Sequence, residues 1–69
     1  MKSVSGKKFC TILERRGWIQ KRVKGSHHIY YNPTAQKIIT VPVHGNRDLP
    51  IGTLKSLLRD ADLTETDLK

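Results

Sequence analysis

The 69 residues include 13 Lys and Arg, six Asp and Glu and three His, for a formal net charge of +7, and 36% of the chain is hydrophobic. One small core is all this length supports, so a single domain over residues 1–69 is expected and a large buried cofactor or ligand pocket is excluded. No run approaches the roughly 18 apolar residues of a membrane span. The lysines at 2, 7 and 8 have no apolar segment behind them as a secretory leader would, and the lone Cys10 allows no internal disulfide, so a cytoplasmic setting is expected.

Ser5 is an N-cap for a first helix over Gly6 to Arg16, with Phe9, Ile12 and Leu13 at i, i+3 and i+4 as its core stripe and Cys10 beside it. Gly17 suits the left-handed position that ends the helix. A first strand over Trp18 to Val23 leads through the Lys24-Gly25-Ser26 turn into a second strand over His27 to Tyr31. Asn32-Pro33 opens a loop, and the Ile, Val and Thr of Lys37 to Val43 make a third strand. Pro42 has no N–H for a ladder, so its nitrogen must face an edge or a bulge. After a His44-to-Pro50 loop, Leu54, Leu57, Leu58 and Ala61 mark the stripe of a second helix over Ile51 to Ala61. Thr64 with Asp67 resembles a capping box for a last turn over 65–68. The order is helix, three antiparallel strands, helix: an α+β domain with both helices on one face.

Charge is unevenly spread. Asp60, Asp62, Glu65 and Asp67 lie in the last ten residues, so residues 1–59 carry twelve bases against Glu14 and Asp48, a balance of +10. Such a surface attracts polyanions, and counterion release drives their binding. On it sits Lys24-Gly25-Ser26-His27-His28, and histidine both takes and gives a proton near neutrality. His27 and His28 point to opposite faces of a regular strand. Either Ile29 with Tyr31 or His28 with Tyr30 faces inward, and parity does not decide between them. His44 shares a face with Thr40 and Pro42 by the same alternation. Ser26 beside His27 diverges from it along the strand, so a supporting turn role for Gly25 and Ser26 is favoured over a nucleophile–base pair. No ligand pair among His27, His28, His44 and Cys10 has a zinc spacing, and no cofactor is expected. Trp18 is expected to pack in the core, and packing is the first expectation for Tyr30 and Tyr31, which otherwise suit stacking on bases.

Three stretches together resemble the HicA toxins of bacterial toxin–antitoxin pairs. They are Lys24-Gly25-Ser26-His27-His28-Ile29-Tyr30, Ile39-Thr40-Val41-Pro42-Val43-His44-Gly45-Asn46, and Leu49-Pro50-Ile51-Gly52-Thr53-Leu54-Lys55. Ser5-Gly6-Lys7 and Leu13-Glu14-Arg15-Arg16-Gly17-Trp18 fit the opening helix of that family. Order and spacing carry the resemblance over nearly the whole chain. Asp62 departs from it, standing where the family often has glycine before its Leu-Thr ending.

The resemblance implies a double-stranded-RNA-binding-domain-like α-β-β-β-α fold and a ribonuclease that cuts mRNA and inhibits translation. It implies a HicB-type antitoxin as partner, and a catalytic histidine first after the Gly-Ser turn, which is His27. In that role His27 is the general base for the 2′-hydroxyl or the acid for the leaving 5′-oxygen. Lys24 is the expected phosphate contact, and Lys21, Arg22, Arg47 and Lys55 the expected contacts along the strand. Metal-independent cleavage is expected, since no carboxylate cluster suits Mg²⁺. Trp18, Tyr30 and Arg47 are expected contacts with the antitoxin. A non-catalytic RNA-binding module of the same fold is the alternative, and a small protein whose basic face binds only an acidic partner is a third reading.

Overall fold

A computed structural model describes residues 3–68. The chain runs α1 (Gly6–Arg15), β1 (Ile19–Lys24), β2 (His27–Asn32), β3 (Lys37–Pro42), α2 (Ile51–Asp60) and a short 3-10 helix (Glu65–Leu68). Every expected element is present, with ends moved by at most one residue. The three strands form one antiparallel sheet in the order β1-β2-β3.

Local chemistry explains the boundaries. The Ser5 side chain accepts a hydrogen bond from the Lys8 amide at 3.0 Å and starts α1. At its other end Trp18 N–H donates to Leu13 O at 3.0 Å and Gly17 N–H to Glu14 O at 3.2 Å, with Gly17 at φ +91°. This 6→1 and 5→2 pair is a Schellman motif. It uses the Trp18 amide, so β1 begins one residue later than the sequence pattern suggests. The end of α2 repeats the motif: Leu63 N–H donates to Leu58 O at 2.9 Å and Asp62 N–H to Arg59 O at 3.2 Å. There Asp62, not glycine, takes the left-handed position at φ +57°, which a short polar side chain tolerates better than most.

The β1–β2 hairpin has two loop residues, Gly25 and Ser26, with Gly25 at φ +59°. Glycine at the first loop position suits a II′ turn, whose twist matches the strands. Asn32 Oδ1 accepts from the Thr34 and Ala35 amides at 3.0 and 3.1 Å and shapes the β2–β3 loop. The Thr64 box is only half formed. Asp67 Oδ2 accepts from the Thr64 amide at 2.8 Å, while the Thr64 hydroxyl donates to the same oxygen instead of capping the Asp67 amide. The Thr64 amide, with help from the Arg16 guanidinium, holds the Asp67 carboxyl below its ordinary range.

The core lies between the helices and one face of the sheet. Phe9, Ile12 and Leu13 of α1 and Leu54, Leu57 and Leu58 of α2 bury against Tyr30, Ile39 and Val41. Trp18, Leu49, Ala61 and Leu68 close its margins. The N-terminal segment is tied in by Leu49 N–H donating to Val4 O at 2.8 Å and by the Ser5–Asp48 bridge. Gly6 packs so tightly on the end of β3 that a Cβ there would lie 2.2 Å from Pro42 O.

Candidate functional site

Strand register decides which histidine faces which way. Directly opposed residues of an antiparallel sheet share a face. One set of rows is Val23–His28–Val41 and Gln20–Tyr30–Ile39; the other is Lys24–His27–Pro42, Arg22–Ile29–Thr40 and Ile19–Tyr31–Ile38. Tyr30, Ile39 and Val41 are buried under the helices, so the first set is the covered face and the second is open. His28 therefore belongs to the covered side, half-buried, and His27 stands exposed on the open side. The parity left undecided by sequence resolves to His28 with Tyr30 inward.

Tyr30 makes that choice. Its ring is 1% exposed, and its phenol donates to Glu14 of α1 at 2.7 Å. Burial, and then the bond to Glu14, push its pKa far above the ordinary tyrosine value, so it stays a neutral donor. Burial likewise pushes the neighbouring Cys10 thiol up, which suits a packing role and not a reactive one.

The open face is cationic at the hairpin end and apolar lower down. His27 heads β2 between Lys24 on β1 and Pro42 on β3. Below this row lie Arg22 and Thr40. A β-bulge interrupts the β1–β2 register between Gln20 and Arg22. The extra residue, Lys21, has its Nζ 5.8 Å from the Tyr31 ring centroid, a cation–π contact on the open side. Lys21 and Arg22, adjacent in sequence, thus line one shallow depression of about 300 Å³ together with Ile29, Ile38 and Thr40. Regular alternation would have sent them to opposite faces; the bulge, which the sequence did not signal, brings them together. The exposed Ile19 and Ile38 complete an apolar strip on this face, one that the strand pattern of the sequence does not mark.

Of the expected site residues, the fold gathers His27, Lys24, Arg22 and Lys21 on one face. Gly25 and Ser26 form the hairpin turn, and Ser26 O accepts from Val43 N–H at 2.7 Å, tying the turn to the end of β3. Arg47 lies in the loop after β3 and is exposed. Lys55 is exposed on α2, in the helical layer, and is not brought to the His27 face. Trp18 and Tyr30, expected to touch the antitoxin, are 4% and 1% exposed. Both are core residues with almost no surface to offer, which corrects that expectation and bears out the packing expected of Trp18. Among the described residues no three of His, Cys, Asp and Glu converge on a point where a metal ion would sit. No helix among them is long and apolar enough to cross a membrane.

An α-β-β-β-α fold with a cationic, histidine-bearing open face defines a small basic α+β protein. The family model described as HicA toxin of bacterial toxin–antitoxin matches residues 6–63, and the chain belongs to that family. It is therefore the toxin of a toxin–antitoxin pair, with an antitoxin as partner. No curated protein matches the chain.

Proposed function

We propose that this toxin is a metal-independent endoribonuclease that cleaves mRNA, working in the cytoplasm, with His27 as general base and a HicB-type antitoxin as its inhibitor. The observation that carries the reading is an exposed imidazole at the head of β2 with Lys24 directly across the strand gap. RNA supplies its own nucleophile, so the protein needs to hold one phosphate and move protons. In this reading Lys24 holds the scissile phosphate by charge. Lys21 and Arg22 follow the backbone of the strand, and Tyr31 and the apolar strip take a base face. Arg47 and Lys55 are outlying contacts. The resemblance of the Gly25-Ser26-His27 segment to the family pattern supports His27 over His28, and so does the half-buried position of His28. Among the described residues no three of His, Cys, Asp and Glu converge near the His27 face, which supports chemistry without Mg²⁺. The same cationic face is the natural target of an anionic antitoxin surface, whose association would be fast and salt-sensitive.

The test is purified toxin with end-labelled mRNA in EDTA. Defined fragments from the wild type and none from His27→Ala are expected. Activity lost in EDTA and restored by a divalent ion would overturn metal independence. Tight, salt-sensitive RNA binding without any cut would leave a binding module in place of the enzyme. For the antitoxin, amide exchange of Lys24 to His28 should slow in the complex; equal exchange in an inactive complex would rule out occlusion.

A further inference from the structure

We propose that His44 is the second proton carrier of this site, the general acid that complements His27. The assignment rests on the ribonuclease reading above. Cleavage at the 2′-hydroxyl needs two proton transfers on opposite sides of phosphorus. His27 takes the proton of the 2′-hydroxyl as the 2′-oxygen forms its bond to phosphorus. The bond from phosphorus to the 5′-oxygen breaks, its electron pair stays on that oxygen, and a proton must arrive there. The products are a 2′,3′-cyclic phosphate and a 5′-hydroxyl. One imidazole standing on the attacking side is badly placed to serve the leaving side in the same event.

The chain holds three histidines. His28 belongs to the covered side of the sheet, which leaves His44. Pairing with β2 runs one residue beyond β3, because Val43 N–H donates to Ser26 O. β3 itself ends at Pro42, and alternation from Thr40 and Pro42, continued two residues into the following loop, carries position 44 toward the open side. Pro42 is directly opposite His27, and His44 follows it by two residues in the chain, so both imidazoles stand at the same end of the sheet. Two imidazoles at one end of the sheet can flank one phosphate group. His44 is held there by a turn, with Arg47 N–H donating to His44 O at 3.1 Å and Gly45 at φ +59°. Both His27 and His44 are exposed. Among the described residues neither imidazole has a hydrogen-bond partner, so neither is committed to holding the fold. The charged groups around the pair are Lys24 across from His27, and Arg47 and Asp48 in the loop after His44. After one cut His27 is protonated and His44 is not; exchange with water, or hydrolysis of the cyclic phosphate by the reverse transfers, restores both.

The experiment compares two oligonucleotides that differ at one atom. One has an ordinary ribonucleotide linkage; in the other the leaving 5′-oxygen is replaced by sulfur, which departs without a proton. Wild type, His27→Ala, His44→Ala and His44→Gln are assayed on both, with circular dichroism to verify folding. The two His44 variants should lose about 10²-fold or more on the ordinary linkage, and most of that loss should vanish on the sulfur linkage. His27→Ala should remain slow on both. Ordinary cleavage by the His44 variants within a few-fold of wild type overturns the proposal, as does an equal loss on both substrates. Rescue of His27→Ala in place of the His44 variants overturns the assignment of roles. A wild type that cuts neither substrate overturns the ribonuclease reading itself, and this assignment with it.

Discussion

The two faces of the sheet are written by alternate residues of the same three strands, yet they answer to different demands. The covered face is apolar and tightly specified at its centre: Tyr30, Ile39 and Val41 are each at most 4% exposed, and its one buried phenol is satisfied by Glu14. The open face mixes Lys21, Arg22, Lys24 and His27 with an exposed strip of Ile19 and Ile38. Nothing in the packing requires these residues. The covered face thus explains why the chain folds, and the open face is where its chemistry is sought.

Substitutions should separate the two. The largest effect is expected at His27. His27→Ala should cut cleavage by about 10²–10⁴-fold with the thermal midpoint unchanged, while His28→Ala should cost far less activity and some stability. The reverse pattern, read by fragment assay and melting together, would swap the faces. Gly6→Ala comes next and strikes only the covered side. Its Cβ would meet Pro42 O at 2.2 Å, backbone against backbone, so a loss of about 1–3 kcal/mol is expected by urea unfolding. No loss would mean that α1 does not sit on β3 as described.

Tyr30→Phe removes the bond to Glu14 and should cost about 0.5–1.5 kcal/mol. It should also change the alkaline limb of stability. The folded pKa of Tyr30 is raised by burial, whereas the unfolded chain titrates at about 10. Its contribution is therefore present below about pH 10 and is lost as pH climbs beyond that value. Unfolding midpoints above that pH should fall in the wild type and fall less in the Phe variant; parallel curves would contradict the buried phenol. The smallest effect is expected at neither face. Asp62→Gly relieves a left-handed residue and loses the exposed Lys37 ion pair at 3.4 Å. A net gain of about 0.5 kcal/mol is expected, and a clear loss would mean that the ion pair outweighs the backbone.

Much of this was legible because local signals mark their own places. Ser5, Gly17, Gly25 and Asn32 each perform a backbone task that few other residues perform, so the element order and ends followed from them. The helix stripes were legible for the same reason: Phe9, Ile12, Leu13 and Leu54, Leu57, Leu58 repeat with the helical period. The facing of β2 was not, because His-His-Ile-Tyr-Tyr offers two plausible apolar sides. Only the long-range meeting of Tyr30 with Glu14, 16 residues away, selects one. The bulge at Lys21 was hidden as well. It depends on how β1 and β2 register over their full length, and no glycine marks it. The gathering of Lys21 with Arg22 followed from that hidden irregularity.

Pro42 has one more consequence. Pairs along an antiparallel ladder alternate between bonded and unbonded, and Val43 is bonded to Ser26. Pro42 and His27 therefore form an unbonded pair, and the backbone of Pro42 turns outward. A free sheet margin is normally a template onto which another chain can zip, its own amides matching the exposed row. Here that row lacks a donor at its His27 end, and Gly6 crowds the acceptor beside it. Crowded copies of this toxin would find no continuous seam along that border. The β3 margin at the imidazole end is thereby guarded against zipping onto another copy without one extra residue assigned to the duty.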